Sequence, residues 1–413
     1  MRVAIDLRPL QIGHQNRGIG AYLLNLLERL PSENNVSYIF LRYGTSDPLK
    51  DFDLHIQAPY KEVVMRKRAF SKHPIKLLQY GANGLLPSYG ALKKHRPNVF
   101  FQADYLLGAP HIFGCKLVTV SHDLIPLKFR QMYLPHWTKF IGFHQFKVKA
   151  RVRLVLRAWF YEMKYRRGIS LLRRSNSVVS VSESTKKDLV ELLGIHEDHI
   201  QVIHSAASFR DESSNDTEVR AEIKHAIDSI DDPFLTYIGG TDRRRQVDEL
   251  VHAFNLYNAR DGRISLVLCG NEFEAGSTEI NPKVKEAIEN SSYSMNIHAL
   301  GKVTEAEKQY VLEKTTAFVY PTLYEGFGLP LLEAMACGAP ILSYKNSSIP
   351  EIAGNLPIYT DGVGGFLIYL ALRKLLSAQK SDLEKTRNQS IKKAADFNWK
   401  TCAERTWSLV TSQ

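Results

Sequence analysis

Short apolar runs alternate with helix-patterned segments along nearly the whole of this sequence, and that alternation is what most restricts its fold. In the first half RVAID, VSYIFLRY, NVFFQ, KLVTVSH, SVVSVSE and IQVIHSA read as strands. In the second half PFLTYIGG, ISLVLCG, SMNIHALG and the run at Phe318 do the same. Between them lie helical patterns such as EAEKQYVLEKT and SESTKKDLVELLG, the latter opened by a capping signal and closed by Gly194. Strands that alternate with helices in this way build a parallel sheet covered on both faces, so the expected class is α/β.

At 413 residues the chain is longer than one hydrophobic core usually organises, and two domains of roughly 200 residues each are expected. The stretch from Asp211 to Asp232, with DESSND and later IDD, is polar and acidic enough to read as the linker. That gives domains over 1–210 and 233–394, a linker over 211–232 and a terminal helix over 395–413. MRVAIDLRPL places Asp6 and Pro9 where a signal peptide needs an uninterrupted apolar core, and reads as a first strand. The longest apolar stretch, Gly362 to Leu372, is too short to span a bilayer. Cys115, Cys269, Cys337 and Cys402 have neither metal-ligand nor redox spacing, which fits reduced thiols in a cytoplasmic protein.

The phrase FVYPTLYEGFGLPLLEAMACG, residues 318–338, carries the strongest chemical signal. A short buried strand is followed by an acidic glycine loop, then by a helix with Pro330 at its first position and Gly338 at its end. Glu325, Gly326, Phe327, Gly328 and Leu329 form a turn that lets backbone approach a ligand, with helix-start N–H groups directed at an anion or hydroxyl. Glu325 lies in the loop and Glu333 one turn into the helix, two acceptors suited to a polyhydroxylated ligand. An isolated E-x7-E pair is ordinarily a solvated loop acid and a helix-dipole partner. The glycines and proline between these two set them apart.

Three further loops follow strands, at the edge where open α/β sheets bind ligands. Gly18-Ile19-Gly20 lies in the loop after the first strand, ahead of a helix; on its own, G-x-G also serves to shape a tight turn. VTVSHDLIPL sets His122 and Asp123 directly after a strand. YIGGTDRRRQV sets Gly239 and Gly240 ahead of Arg243, Arg244 and Arg245 at the opening of a helix, where guanidinium groups match phosphate oxygens.

These phrases together resemble the retaining glycosyltransferases of family 4, with their E-x7-E motif, in the form that assembles bacterial surface polysaccharides. The resemblance implies a GT-B fold, two Rossmann-like domains facing a cleft, with the first binding acceptor, the second binding nucleotide sugar, and the last helix crossing back to the first. It implies that Glu325 and the amides of 326–329 hold the donor sugar, that Glu333 takes the ribose and that Val303 presents backbone to the nucleobase. Arg244 and Arg245 would serve the diphosphate, with Arg243 the alternative second cation. Arg245 stands where a lysine is usual, and Gly240 where many relatives carry arginine. His122 would meet the transferred sugar, and Gly18 and Gly20 would approach the donor phosphates. No metal or other cofactor is implied; the donor is a UDP-, GDP- or dTDP-sugar. Transfer of a hexose to a glycan hydroxyl, with front-face attack and retention, is the expected reaction. A soluble glucosyltransferase of sugar-phosphate or storage-glucan metabolism, and a catalytically idle partner subunit binding nucleotide sugar or membrane, are the alternatives.

The net charge is +11 and the pI about 9.3. Over 139–174 eleven Lys or Arg face a single acid, Glu162, among Phe140, Phe143, Phe146, Trp159, Phe160, Tyr161 and Tyr165. Such a helix suits an anionic membrane surface, so a lipid-linked saccharide acceptor at the inner face of the cell membrane is expected. A solvated helical face with its aromatics in the core is the plainer reading. No nucleic-acid-binding motif accompanies the charge, and no nucleic-acid partner is expected.

Overall fold

Two parallel sheets organise the chain. The computed structural model describes residues 1–12, 18–33, 35–65, 90, 92–109, 112–134, 148–207 and 218–412. One compact unit comprises Met1–Ser205 with the stretch from Trp399 onward, and the other comprises Ala206–Asn398.

The first unit holds β1 (Arg2–Asp6), β2 (Ser37–Tyr43), β3 (Tyr60–Met65), β4 (Val99–Gln102), β5 (Lys116–Ser121), β6 (Ser177–Ser180) and β7 (Ile200–Val202), in the order β3-β2-β1-β4-β5-β6-β7. The second holds β8 (Phe234–Ile238), β9 (Ser265–Cys269), β10 (Ile297–Gly301), β11 (Ala317–Tyr320), β12 (Ile341–Ser343) and β13 (Ile358–Tyr359), in the order β10-β9-β8-β11-β12-β13. Each described strand pair is parallel. In β8, β9, β11 and β12 every residue is buried, as strands covered by helices on both faces require.

The order reverses between β1 and β4 in one sheet and between β8 and β11 in the other. At such a switch point the loops leaving the two central strands diverge to opposite faces and open a crevice at their carboxyl ends. The loops after β8 and β11 are YIGGTDRRRQV and the E-x7-E phrase, so topology alone brings these two segments together.

The helix Trp399–Thr411 belongs to the first unit. Its buried stripe, Trp399, Cys402, Ala403, Thr406, Trp407 and Val410, repeats at helical spacing. Trp407 Nε1 donates to Leu26 O at 3.0 Å and its ring centroid lies 5.3 Å from that of Phe101.

Several expectations need adjustment. Part of the stretch expected as linker, Ala221–Asp228, is a helix with Ile223 and Ile227 buried; residues 211–217 lie outside the described residues. Gly18-Ile19-Gly20 forms the first turn of the helix Gly18–Glu28 rather than a loop before it. The helix of the E-x7-E phrase runs Leu329–Ala336, which puts Pro330 second rather than first, after Gly328 at φ 97°.

The basic segment forms the helix Val148–Arg174; residues 139–147, with Phe140, Phe143 and Phe146, lie outside the described residues. Phe160 and Tyr165 are buried and belong to the core, whereas Trp159 and Tyr161 are about half exposed at 49% and 50%. Glu162 is not a solvated acid but a buried one, accepting from Arg130 and Arg166 at 2.9 Å each. Among the described residues no helix is long and apolar enough to cross a membrane.

Candidate functional site

After β8 the chain turns through Gly239, at φ 150°, and Gly240. A Cβ on Gly239 would fall 1.9 Å from Arg245 Nη1, so only glycine lets that guanidinium lie across the backbone. At Gly240 a Cβ would meet Glu272 Oε1 at 2.7 Å. Glu272 is itself held by the amide of Thr241 at 2.6 Å and by the Thr241 hydroxyl. An arginine at position 240 would therefore have to displace Glu272, a local reason for the glycine.

The three arginines do not open the following helix. Arg243–Arg245 forms its own 3-10 turn, capped by Asp242, whose carboxylate accepts from Arg244 N at 3.1 Å. Gln246 follows at φ 48°, and the helix Val247–Arg260 begins only after it. This break turns Arg244 and Arg245 away from the helix axis toward the β11 loop and leaves Arg243 exposed.

Arg244 and Arg245 both reach Glu325. Arg244 Nη1 donates to Glu325 Oε1, to Tyr324 O at 2.8 Å and to Thr322 Oγ1 at 3.2 Å, and Arg245 Nε lies 3.6 Å from the same carboxylate oxygen. The side chains of Arg244, Arg245 and Glu325 are only 11%, 17% and 10% exposed. Burial works to raise Glu325, but Arg244 and Arg245 outweigh it and hold the carboxyl below its ordinary range. Burial likewise opposes both guanidinium charges, and Glu325 helps keep both firmly protonated.

The backbone of this loop is fixed from β12 onward. Glu325 N donates to Ser347 Oγ at 3.0 Å, and Ser348 Oγ donates to Phe327 O at 2.8 Å and Glu325 O at 3.1 Å. Asn346 Nδ2 donates to Thr322 O at 2.9 Å. The ring of Phe327 is buried and lies edge-on to that of Phe397, centroids 6.0 Å apart. Ser347, Ser348 and Asn346 were not singled out from sequence. Their signal, serines ahead of Ile349-Pro350, reads as a helix start, and nothing local connects it to Glu325.

Glu333 is buried and does not meet Glu325's partners. Its Oε2 lies 2.9 Å from Lys308 Nζ, on the helix Glu305–Lys314 that follows the turn containing half-buried Val303. Burial pushes the Glu333 carboxyl up to about 7, with Lys308 opposing and Glu305 adding to the rise. Lys308, unpredicted from sequence, stays charged because Glu333 and Glu305 overcome the cost of its burial.

In the first unit His122 follows β5. Its Nε2 lies 3.0 Å from Ala103 O, and since a carbonyl only accepts, Nε2 carries the proton. The ring meets Tyr22 edge-on, centroids 5.1 Å apart, and Tyr22 meets Trp399 in the same way at 5.9 Å. Ala103 follows β4, so His122 is tied to the sheet's switch point. Among the described residues no group of three or more His, Cys, Asp or Glu is arranged to hold a metal ion.

The family model described as Glycosyltransferase Family 4 matches residues 16–207, and that described as Glycosyl transferases group 1 matches residues 219–369. The serotype-specific mannosyltransferase WbdA of Escherichia coli is 24% identical over 299 residues, 70% of this chain and 32% of its own length. The chain thus spans about a third of that relative. The O-antigen chain mannosyltransferase B of Escherichia coli is 22% identical over 412 residues, 98% of each chain. The crystal structure of Anabaena Alr3699/HepE in complex with UDP and glucose matches over the whole of both chains, with a TM-score of 0.65 and 13% identity. That likeness is one of fold, the GT-B fold.

Proposed function

Because this chain belongs to glycosyltransferase family 4, we propose that it moves a hexose from a nucleotide-diphosphate sugar to a hydroxyl of a lipid-linked glycan, with retention of anomeric configuration, in surface polysaccharide assembly. The observation that carries this reading is the buried set of Arg244, Arg245 and Glu325 at the switch point of the second sheet. Two fixed cations beside one carboxylate match what a sugar diphosphate presents: an anion whose charge grows as the bond breaks, and neutral hydroxyls beside it. The mannosyltransferase names of the relatives and the UDP and glucose of the Anabaena structure share the hexose class.

In the proposed reaction the bond between the anomeric carbon and the diphosphate oxygen breaks as the acceptor oxygen bonds that carbon on the same face. The acceptor proton passes to the departing phosphate oxygen, so no enzymic nucleophile is required. Arg244 and Arg245 take the diphosphate charge, Glu325 takes sugar hydroxyls alongside the 326–329 turn, and Glu333 accepts from the ribose near Val303. No step is assigned to a metal. Gly239 admits Arg245 to its place, and Gly240 leaves Glu272 undisturbed. In the first unit His122 and the Gly18–Gly20 helix start are assigned ligand contact, since both lie at the carboxyl edge of that sheet.

Thermal-shift screening against UDP-, GDP- and dTDP-sugars tests the donor. One of them is expected to raise the melting point by mass action, and Arg245→Ala to abolish the rise. A wild-type protein that no nucleotide sugar stabilises would sink the transferase reading and favour an idle partner subunit.

The lipid-linked acceptor and a peripheral, cytoplasmic-face location draw support from the helix Val148–Arg174, where exposed Leu156, Trp159 and Tyr161 accompany exposed Arg166, Arg167, Arg173 and Arg174. In sedimentation with vesicles the protein is expected to pellet with anionic lipid and to stay in solution with zwitterionic lipid, an effect lost at high salt. Equal recovery with both kinds of vesicle removes the membrane proposal.

A further inference from the structure

Lys308 stands in the second turn of the helix Glu305–Lys314, a short and mostly polar helix on which a lysine would ordinarily face water. Instead its side chain is only 11% exposed, with Nζ 2.8 Å from Glu305 Oε2 and 2.9 Å from Glu333 Oε2. An ammonium is withdrawn from water in this way only when anions compensate it. The helix it stands on starts directly after the Lys302–Thr304 turn. That start is rigidly made: Thr304 and Glu307 form a capping box, and Arg220 donates to Glu307 Oε2 and to Lys302 O at 2.9 Å each. Lys308 therefore bridges a fixed turn, the one containing Val303, to the helix Leu329–Ala336, which carries Glu333.

We propose that Lys308 is a positioning residue for the nucleoside end of the donor: it sets the separation between the Val303 turn and the Glu333 carboxylate, and leaves Glu333 Oε1 for a ribose hydroxyl. This rests on the reading of Glu333 as the ribose acceptor. The bridge also acts on charge. Among the described residues, the titratable groups facing Glu333 are Lys308 and Glu305 from one helix and the Cys337 thiol from the end of its own; burial pushes that thiol up to about 12, so it is uncharged. Lys308 also faces Cys269, a thiol that burial likewise pushes up to about 12. Lys308 is thus the cation that partly offsets the burial of Glu333, whose carboxyl still stands at about 7; without it the carboxyl would rise further, be protonated throughout the neutral range and lose acceptor strength.

Calorimetric titration of the full chain with UDP, GDP and dTDP, and separately with inorganic pyrophosphate, tests this in wild type, Lys308→Met and Lys308→Arg. The nucleoside diphosphate that wild type prefers should weaken at least about tenfold in Lys308→Met, the scale of a lost hydrogen bond to a charged group. Lys308→Arg, which keeps the charge, should recover most of that loss. Pyrophosphate, which reports on Arg244 and Arg245, should bind all three alike. In Lys308→Met the rise of nucleoside-diphosphate affinity with pH should be displaced to higher pH than in wild type, a shift that a general loss of fold would not give. Unchanged nucleoside-diphosphate binding in Lys308→Met, or an equal loss of pyrophosphate binding, overturns the positioning role alone. A wild-type protein that takes pyrophosphate but none of the three nucleoside diphosphates overturns the donor reading and this inference with it.

Discussion

Alanine at Glu325 is expected to lower turnover by about a hundred- to a thousandfold, the scale of removing one preorganised polar group from a transition-state site. It is also expected to make the second unit less stable, opposite to the common finding that active-site polar groups are held at a cost to stability. The reason lies in the ligand-free arrangement. Glu325 is the carboxylate that Arg244 and Arg245 share, and all three side chains are at most 17% exposed. Taking it away leaves two neighbouring guanidinium groups withdrawn from water with their mutual repulsion uncompensated. Breaking a fully buried pair costs about 3–5 kcal/mol, and the residual exposure here places this loss below that range. Because burial raises the Glu325 carboxyl and the two arginines more than reverse this, the stabilisation is present at neutral pH and is lost on acidification through the lowered folded value. The arginines released in Glu325→Ala should bind inorganic pyrophosphate at least as tightly as in wild type, since no internal anion competes. Glu325→Gln, which keeps the shape, should lose transfer while retaining more of the melting temperature. Wild-type turnover in Glu325→Ala would refute the assignment. A melting temperature above wild type would refute the account of the resting ion pairs.

What the sequence revealed, and what it hid, follows from how local each feature is. Runs such as FLTYI and SLVLC are legible as strands because every residue is apolar or small enough to bury, and both are buried throughout. The helix that Ser182 caps and Gly194 closes is legible because each of its end signals lies within one turn. The helix Ala221–Asp228 was hidden by polar neighbours, although Ile223 and Ile227 stand at i, i+4 and both are buried. Two-residue β13 has no period to detect. At the site, the residue types in the β8 and β11 loops pointed to phosphate and hydroxyl binding, and the structure does bring Arg244, Arg245 and Glu325 together. It does not place Arg243 with them. Lys308 was out of reach because its burial depends on Glu333, twenty-five positions away, whose partner the helical period cannot name. Phe160 and Tyr165 lie in the core of the first unit, as the plainer reading of the basic segment has it, while Trp159 and Tyr161 stay about half exposed.

The largest stability effect is expected in the first unit, at Arg8. From the sequence, Asp6 merely argued against a signal peptide; in the structure it is the centre of a buried polar network at the switch point of the first sheet. Arg8 Nε donates to Asp6 Oδ1 at 2.8 Å and Nη2 to Asp6 Oδ2 at 2.7 Å, a bidentate pair with both side chains at 0% exposure. Gln102 Nε2, at the end of β4, donates to Asp6 Oδ2 at 2.8 Å and to Asp104 O at 2.8 Å, and Arg8 Nη2 reaches Gly108 O at 2.9 Å. The network therefore ties the carboxyl end of β1 to the segment that follows β4. Burial works against the Arg8 charge, and Asp6 more than offsets it. Arg8→Met is expected to destabilise the first unit by about 3–5 kcal/mol, because it strands the Asp6 charge in a dry site. For a unit of this size that corresponds to a fall in melting temperature on the order of 10 °C. Asp6→Asn combined with Arg8→Met should recover part of the loss, since no uncompensated charge remains. Scanning calorimetry can separate the two units, and the transition that moves should be the one that holds the helix Trp399–Thr411 as well. If Arg8→Met melts with wild type, or the double variant falls further than the single one, the pair does not hold this sheet edge together.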